Sequence, residues 1–193
     1  MKKLTKGDLL NNVDYEKVRN EFRAKTMALK KHRRIILGPN IMLTFENRVT
    51  MKFQIQEIMR AERMVHIHQI QEELDVYNSI LPDENELSAT LFIEITDEEH
   101  IRPLLNSFIG LTENKSIWLE CDENKIFALF EAGREEEDKI SSVHYIRFRF
   151  SNDDLNAFRN ESNNIFIKIH YNDYQFNEKL TKEIQQSLLK DFS

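Results

Sequence analysis

Residues 51–81, MKFQIQEIMRAERMVHIHQIQEELDVYNSIL, decide how this chain is read. At ~100° per residue, Met51, Ile55, Ile58 and Met59 gather on one side of a first helix, and Ile70, Leu74, Tyr77 and Leu81 on one side of a second. Two amphipathic helices are therefore predicted, over about residues 50–64 and 66–80, and Pro82-Asp83-Glu84-Asn85 breaks the pattern after them. Glu62 falls inside the first apolar stripe, and His66 and Glu73 inside the second, while His68, Glu72 and Asp75 point the other way. A carboxylate is rarely buried unless it is paired or coordinated. Glu62 and Glu73 are thus expected to be mostly buried and close together, each supplied with an arginine, a metal or a ligand.

Toward the N-terminus the pattern predicts a short helix after Thr5 and a longer one over residues 14–31, with Val18, Phe22, Met27 and Leu29 as its inner face. Residues 33–37 and 41–45 are strand-like, and the turn trio Gly38-Pro39-Asn40 joins them as a hairpin. Asn47 and Thr50 are placed to cap the helix that starts near Met51. Toward the C-terminus, residues 87–95 form a strand, and Thr96-Asp97-Glu98-Glu99 is a capping-box sequence opening a helix toward Phe108. A hairpin over 117–121 and 125–130 turns at Asp122-Glu123-Asn124, and a charged loop follows at 134–138. Residues 143–150 alternate, with His144, Ile146, Phe148 and Phe150 on one face. A brief helix over 153–159, a strand over 165–171 and a terminal helix over 178–190 complete the chain.

The fold class expected is α+β: N-terminal helices and a hairpin, a central helix pair, then a mostly antiparallel sheet of about five strands with flanking helices. With 193 residues, 40% of them apolar, and only four Gly and three Pro, the chain is long enough for one sizeable core. It divides by composition into a helical, basic part (1–82), a sheet part (83–173) and a C-terminal helix (174–193) of a single domain spanning 1–193.

A single cysteine, Cys121, excludes an internal disulfide framework and a cysteine-built zinc or iron–sulfur site. It also lacks an adjacent base, so nucleophilic catalysis is disfavoured. In MKKLTKGDLL the acidic and amide residues that follow interrupt any signal-peptide core, and no apolar run approaches the ~20 residues that span a bilayer. A cytoplasmic location with no membrane association is expected. The net charge of −6 is unevenly spread, since residues 1–65 carry 15 basic against 7 acidic side chains and residues 66–193 carry 12 against 26. Lys30, Lys31, Arg33 and Arg34 form the densest basic cluster, expected either to stay exposed as a docking patch or to be neutralised inside the molecule. The cluster has no interleaved aromatics, which disfavours nucleic acid. Gly38-Pro39 lacks the second glycine and the Lys-Ser/Thr pair of a phosphate loop.

The ordered series Leu37-Gly38-Pro39-Asn40, Phe45-Glu46-Asn47-Arg48-x-Thr50, Phe53-Gln54-Ile55-Gln56-Glu57, Arg60-x-Glu62, Glu72-Glu73-Leu74, Tyr77-Asn78, Leu81-Pro82, Ala89-Thr90 and Val143-His144 resembles the bacterial family "domain of unknown function 3501" over about residues 1–171. His66 and His68 stand outside that shared pattern, and the helix beyond Asp173 reads as an addition to it. The resemblance implies no reaction. It implies a genomic setting beside a rubrerythrin-like di-iron protein and an iron–sulfur oxidoreductase.

Carboxylates with one or two imidazoles suit iron, manganese or zinc, which makes Glu62, Glu73, Glu57, Glu46, His144 and His66 the candidate metal ligands. No Glu-x-x-His di-iron signature is present. The competing reading has the glutamates paired with Arg23, Arg48 or Arg60, and His144 as a hydrogen-bonded core histidine. Two functions are expected from these residues: an accessory or regulatory binding protein of an oxidant-defence or electron-transfer system, docking on a rubrerythrin-like or iron–sulfur partner, or a metal-dependent enzyme or carrier.

Overall fold

The hairpin at Gly38 organises the molecule. In the computed structural model, which describes residues 1–95, 101–113, 115–133, 135–136 and 139–192, β1 (Arg34–Leu37) and β2 (Ile41–Glu46) pair antiparallel from Leu37↔Ile41 to Arg34↔Thr44. Gly38 turns the chain with a left-handed φ of 72°, a conformation that costs a residue with a Cβ about 1–2 kcal/mol. Alternation then decides the faces: Ile35, Leu37, Ile41, Leu43 and Phe45 point to one core and Arg34, Met42, Thr44 and Glu46 to the other side.

The hairpin is not separate from the sheet. Further strands β3 (Glu86–Ile93), β4 (Ile117–Cys121), β5 (Asn124–Phe130), β8 (Val143–Arg149), β9 (Ile165–Tyr171) and β10 (Tyr174–Lys179) join it, while β6 (Glu135–Glu136) and β7 (Lys139–Ile140) make a small ribbon of their own. The result is an eight-stranded sheet, ordered β1-β2-β3-β8-β5-β4-β9-β10 and antiparallel at every pairing. The expectation of about five strands is too small for two reasons. The hairpin continues into β3 through Ile41↔Ile93, and Tyr174–Lys179, which composition places in the C-terminal part (174–193), form the nearly fully exposed strand β10 paired with β9. The capping box at residues 96–99 lies outside the described residues.

The sheet curls until its edges meet, making it nearly a barrel. From β10, the Tyr174 hydroxyl donates to Leu37 O (2.5 Å) and accepts from the backbone amides of Asn40 (3.0 Å) and Ile41 (3.2 Å). The Phe176 ring lies so close to Gly38 that a Cβ there would sit 2.5 Å from it. Side chains thus close the edge that backbone pairing leaves open. The enclosed core is apolar, with Leu43, Phe45, Leu91, Ile146, Phe148 and Ile167 among its buried members.

Against the outer face of β1, β2, β3 and β8 lies a helical layer: α1 (Asn12–Lys31), α2 (Arg48–Ala61) and α3 (Ile67–Ile80). As the sequence predicts, Asn47 caps α2, its Oδ1 accepting from the amides of Val49 and Thr50 while Thr50 Oγ1 accepts from the Asn47 amide. Met51, Ile55 and Met59 of α2 pack with Ile70, Leu74 and Ile80 of α3 as a second core. Two side-chain amides hold the N-terminal segment on these helices: Gln56 bonds both N and O of Leu10, and Asn78 both N and O of Leu4. On the inner face of α1 Tyr15, Thr26 and Lys30 are buried and the expected Phe22, half-buried, packs on Tyr15 and Phe53, as Met27 and Leu29 are half-buried too. The expected Val18 is exposed. The remaining helices are α4 (Ile101–Asn106), α5 (Asn152–Arg159) and α6 (Lys182–Leu189), so α6 is shorter than the predicted 178–190.

Arg33, fully buried, joins the two ends of the chain. Its Nε donates to Phe45 O (2.8 Å), its Nη1 to Ser187 O (3.1 Å), and its Nη2 to Glu46 O (3.3 Å) and to the carboxylate of buried Asp191. Asp191 also accepts from Asn47 Nδ2 (3.3 Å). Burial pushes the Asp191 carboxyl up, against the pull of the Arg33 charge. Arg33→Met should therefore lower stability by about 3–5 kcal/mol, because it strands a buried carboxylate, and Arg33→Met with Asp191→Leu should recover much of that loss. Urea unfolding of the single and double variants measures both, and a double variant no better than the single would remove the ion pair as the cause.

Candidate functional site

Three cross-strand rows, set by the sheet register, cover the outer face beneath the helices. Met42, Phe92 and Val143 form an apolar row, Arg34, Thr44, Thr90 and Tyr145 a polar one, and Glu46, Ser88 and Arg147 the third. Lys30 from α1, Met51 and Gln54 from α2, and Tyr77 and Ile80 from α3 stand over these rows. Between floor and roof lies a cavity of about 320 Å³, at the lower end of the range for small-molecule sites.

Its floor holds polar groups without partners. Glu46 is 2% exposed; its Oε1 accepts from Thr90 Oγ1 (2.8 Å), and its Oε2 has no hydrogen bond among the described residues. Thr44 is equally buried and its hydroxyl is also unpartnered. An unmet buried acceptor costs about 1–3 kcal/mol, more when charged. The cation nearest in the rows does not serve Glu46, because Arg147 donates to Glu86 (2.6 Å) and to Ser79 O. Glu86 is the satisfied counterpart: burial pushes its carboxyl up, but hydrogen bonds from Arg149 and Arg147 bring it below the usual range. Lys30, 9% exposed, lines the same cavity and has no ion pair among the described residues. Burial, with smaller contributions from Tyr145 and nearby carboxylates including Glu46, pushes the Tyr77 hydroxyl up to about 12, so it enters the cavity as a neutral phenol.

The six candidate metal ligands do not converge. Glu62 is exposed, not buried: α2 ends at Ala61, Glu62 is its C-cap, and Arg63 follows with a left-handed φ of 53°, which takes the chain off the helical face. His66 is an exposed N-cap of α3, its ring stacked on His68, so Glu62 and His66 share no helix. Glu73 is half-buried and has no arginine partner among the described residues; burial first, then the Glu62 and Glu72 carboxylates, push its carboxyl up. Glu57 faces α1, where Arg19 grips both its oxygens (2.8 Å each) and Tyr15 donates to it (2.8 Å). His144 is fully buried in the barrel core, its Nε2 donating to Ser141 O (2.7 Å). Only Glu46 reaches the cavity. Among the described residues no group of three or more His, Cys, Asp or Glu side chains is arranged to hold a metal ion. Cys121 is buried, and burial pushes its thiol up to about 12, which leaves it protonated at neutral pH.

Lys30 and Thr44 carried no distinctive signal in sequence. Lys30 lay within a basic run, and Thr44 alternates with Leu43 and Phe45 as any solvent-facing strand residue would. Only the helical layer makes their positions interior. The basic run itself is divided, with Lys30 and Arg33 buried and Lys31 and Arg34 exposed, so it is not one exposed patch.

The family model described as "Protein of unknown function (DUF3501)" matches residues 3–192. The chain belongs to this family. The match runs through α6, so the terminal helix is no addition to the DUF3501 pattern, and Asp191 beside Arg33 gives the physical reason that the two ends belong together. A crystal structure titled a novel protein of unknown function, from Burkholderia pseudomallei, is similar over 100% of both chains at 28% identity, with a TM-score of 0.91. No curated protein matches the chain. No helix among the described residues is long and apolar enough to cross a membrane.

The Glu57 cluster gives a pH test that is separate from the cavity. The Arg19 guanidinium holds the Glu57 carboxyl below its ordinary 4.5, burial works against it, and the Tyr15 hydroxyl adds to the lowering. A depressed folded value contributes stability above the unfolded value and loses it as pH falls through the folded one. The stability gap between wild type and Glu57→Gln should therefore be widest near neutrality and narrow steadily below about pH 4.5. Thermal unfolding across pH 3–7 measures it, and a constant gap would show that the ion pair contributes nothing to folding.

Proposed function

We propose that this chain is a binding protein with an accessory or regulatory role, and that the cavity between its sheet and helical layer is the seat of a small polar ligand. The observation that carries the reading is the unpartnered Oε2 of Glu46, a residue 2% exposed on the floor of that cavity, beside the unpartnered Thr44 hydroxyl. A fold that needed only to pack here would be better served by apolar residues at both positions. A ligand donor would relieve both groups, so binding energy is available without rearranging the barrel.

Labelling the methionine methyl groups with carbon-13 tests this reading directly, because Met42 and Met51 line the cavity whereas Met27 does not. A screen of polar fragments should yield compounds that shift the Met42 and Met51 signals, leave Met27 in place, and lose at least about tenfold in affinity on Glu46→Gln, the ~1.4 kcal/mol of one hydrogen bond to a charged group. If no fragment moves Met42 or Met51, the cavity is not a ligand site.

A protein partner is a second part of the proposal. The resemblance to DUF3501 supplies candidates, a rubrerythrin-like or iron–sulfur oxidoreductase protein, and exposed Leu10, Val13, Val65 and Ile67 supply surface for contact near the α1 N-terminus. Three of the four border a second, largely apolar cavity of about 430 Å³. With Lys30 and Arg33 buried, docking rests on apolar contact more than on charge. Pull-downs of such a partner should persist between low and high salt and be lost with Val13→Asp and Val65→Asp. Capture abolished by salt alone would return the weight to the exposed cations.

A further inference from the structure

We infer that the ligand of this cavity is a small dipolar molecule, bearing an amine at one end and a carboxylate or phosphate at the other. The inference rests on the proposed ligand site and assigns its chemical class.

Two opposite charges line one buried space without meeting. Glu46 and Lys30 both border the cavity, yet they form no ion pair, so their charged atoms stand more than 4 Å apart. Glu46 is anchored from one side by Thr90 and leaves Oε2 open. An ionised carboxylate accepts only, so what it lacks is a donor. Thr44 lies one step along β2 on the same face, some 6.6–6.8 Å of strand away, and adds a second open polar group. Elsewhere on the lining Lys30 presents donors only, and Arg34, in register with Thr44, stands at the cavity rim as a second cation. The apolar row of Met42, Phe92 and Val143 flanks the Arg34–Thr44 row on the side away from Glu46.

Simpler ligands satisfy only half of this arrangement. An acid held by Lys30 leaves Glu46 unmet and adds repulsion to it, and an amine held by Glu46 leaves Lys30 alone. A bare divalent cation would find one carboxylate and a hydroxyl where six or more oxygens are wanted, with a buried ammonium close by. A dipolar molecule meets both ends at once.

The probes are 5-aminopentanoate, its halves pentanoate and pentylamine, and O-phosphoethanolamine, read on the labelled Met42 and Met51 methyl groups. 5-Aminopentanoate or O-phosphoethanolamine should bind at least tenfold more tightly than either half, and the better of the two distinguishes a carboxylate from a phosphate end. Glu46→Gln should abolish the preference over pentanoate, and Lys30→Met the preference over pentylamine. General damage to the fold would not produce that crossed pattern. Thr44→Val provides a milder variant, expected to weaken the dipolar probe several-fold with its preferences kept, should either charge variant fail to fold. If a half binds as well as the whole, or if the variants lose all probes equally, the dipolar assignment is overturned while the ligand site stands. If these probes fail but other polar fragments shift Met42 and Met51, the assignment again falls alone. If nothing shifts them, both fall.

Discussion

A buried guanidinium holds this molecule together. Arg33 leaves α1, enters the sheet and is sealed from solvent, and its donors reach the backbone at the end of β2 and the carboxylate of Asp191 near the C-terminus. A charge in such a place is tolerated only when every donor has an acceptor. That requirement fixes three things together: the last residues of β2, the start of α2 through Asn47, and the docking of the terminal segment. Asn47 serves twice, capping α2 with its oxygen and bonding Asp191 with its nitrogen.

From that junction the candidate site follows. Glu46 immediately precedes Asn47, and its carbonyl is one of the Arg33 acceptors, so the backbone that carries the Glu46 side chain has little freedom. The side chain emerges on the outer face, under α2 and α3, where Thr90 fixes one carboxylate oxygen. The cavity is a product of two cores that do not merge. The barrel interior packs on itself, the helices pack on one another, and the polar rows between them keep the layers from closing completely.

The charge asymmetry of the sequence also acquires a structural meaning. Part of the excess basic charge of the first third is neutralised within the fold, as Arg33 meets Asp191 across 158 residues, and the rest is distributed between exposed positions and the cavity.

The α+β class, the central helix pair, the Gly38 hairpin and the Asn47 cap were all legible because each depends on short-range patterns: periodicity, turn chemistry and a side chain bonding its own neighbours. Glu46 and Glu57 stand among the candidate metal ligands of the sequence, but their actual partners, Thr90 for one and Arg19 with Tyr15 for the other, come from elements far away in the chain. Glu62 was misplaced because one left-handed residue, Arg63, ends the helix whose face seemed to bury it. In β10 Tyr174 and Phe176 alternate with Gln175 and Asn177, but the near-closure of the barrel depends on Leu37 and Gly38, far away in the chain, and could not be read locally. A strand face that alternates like a solvated one became the floor of a cavity only when the helical layer settled over it, since burial is a property of what packs against a residue and not of the residue itself.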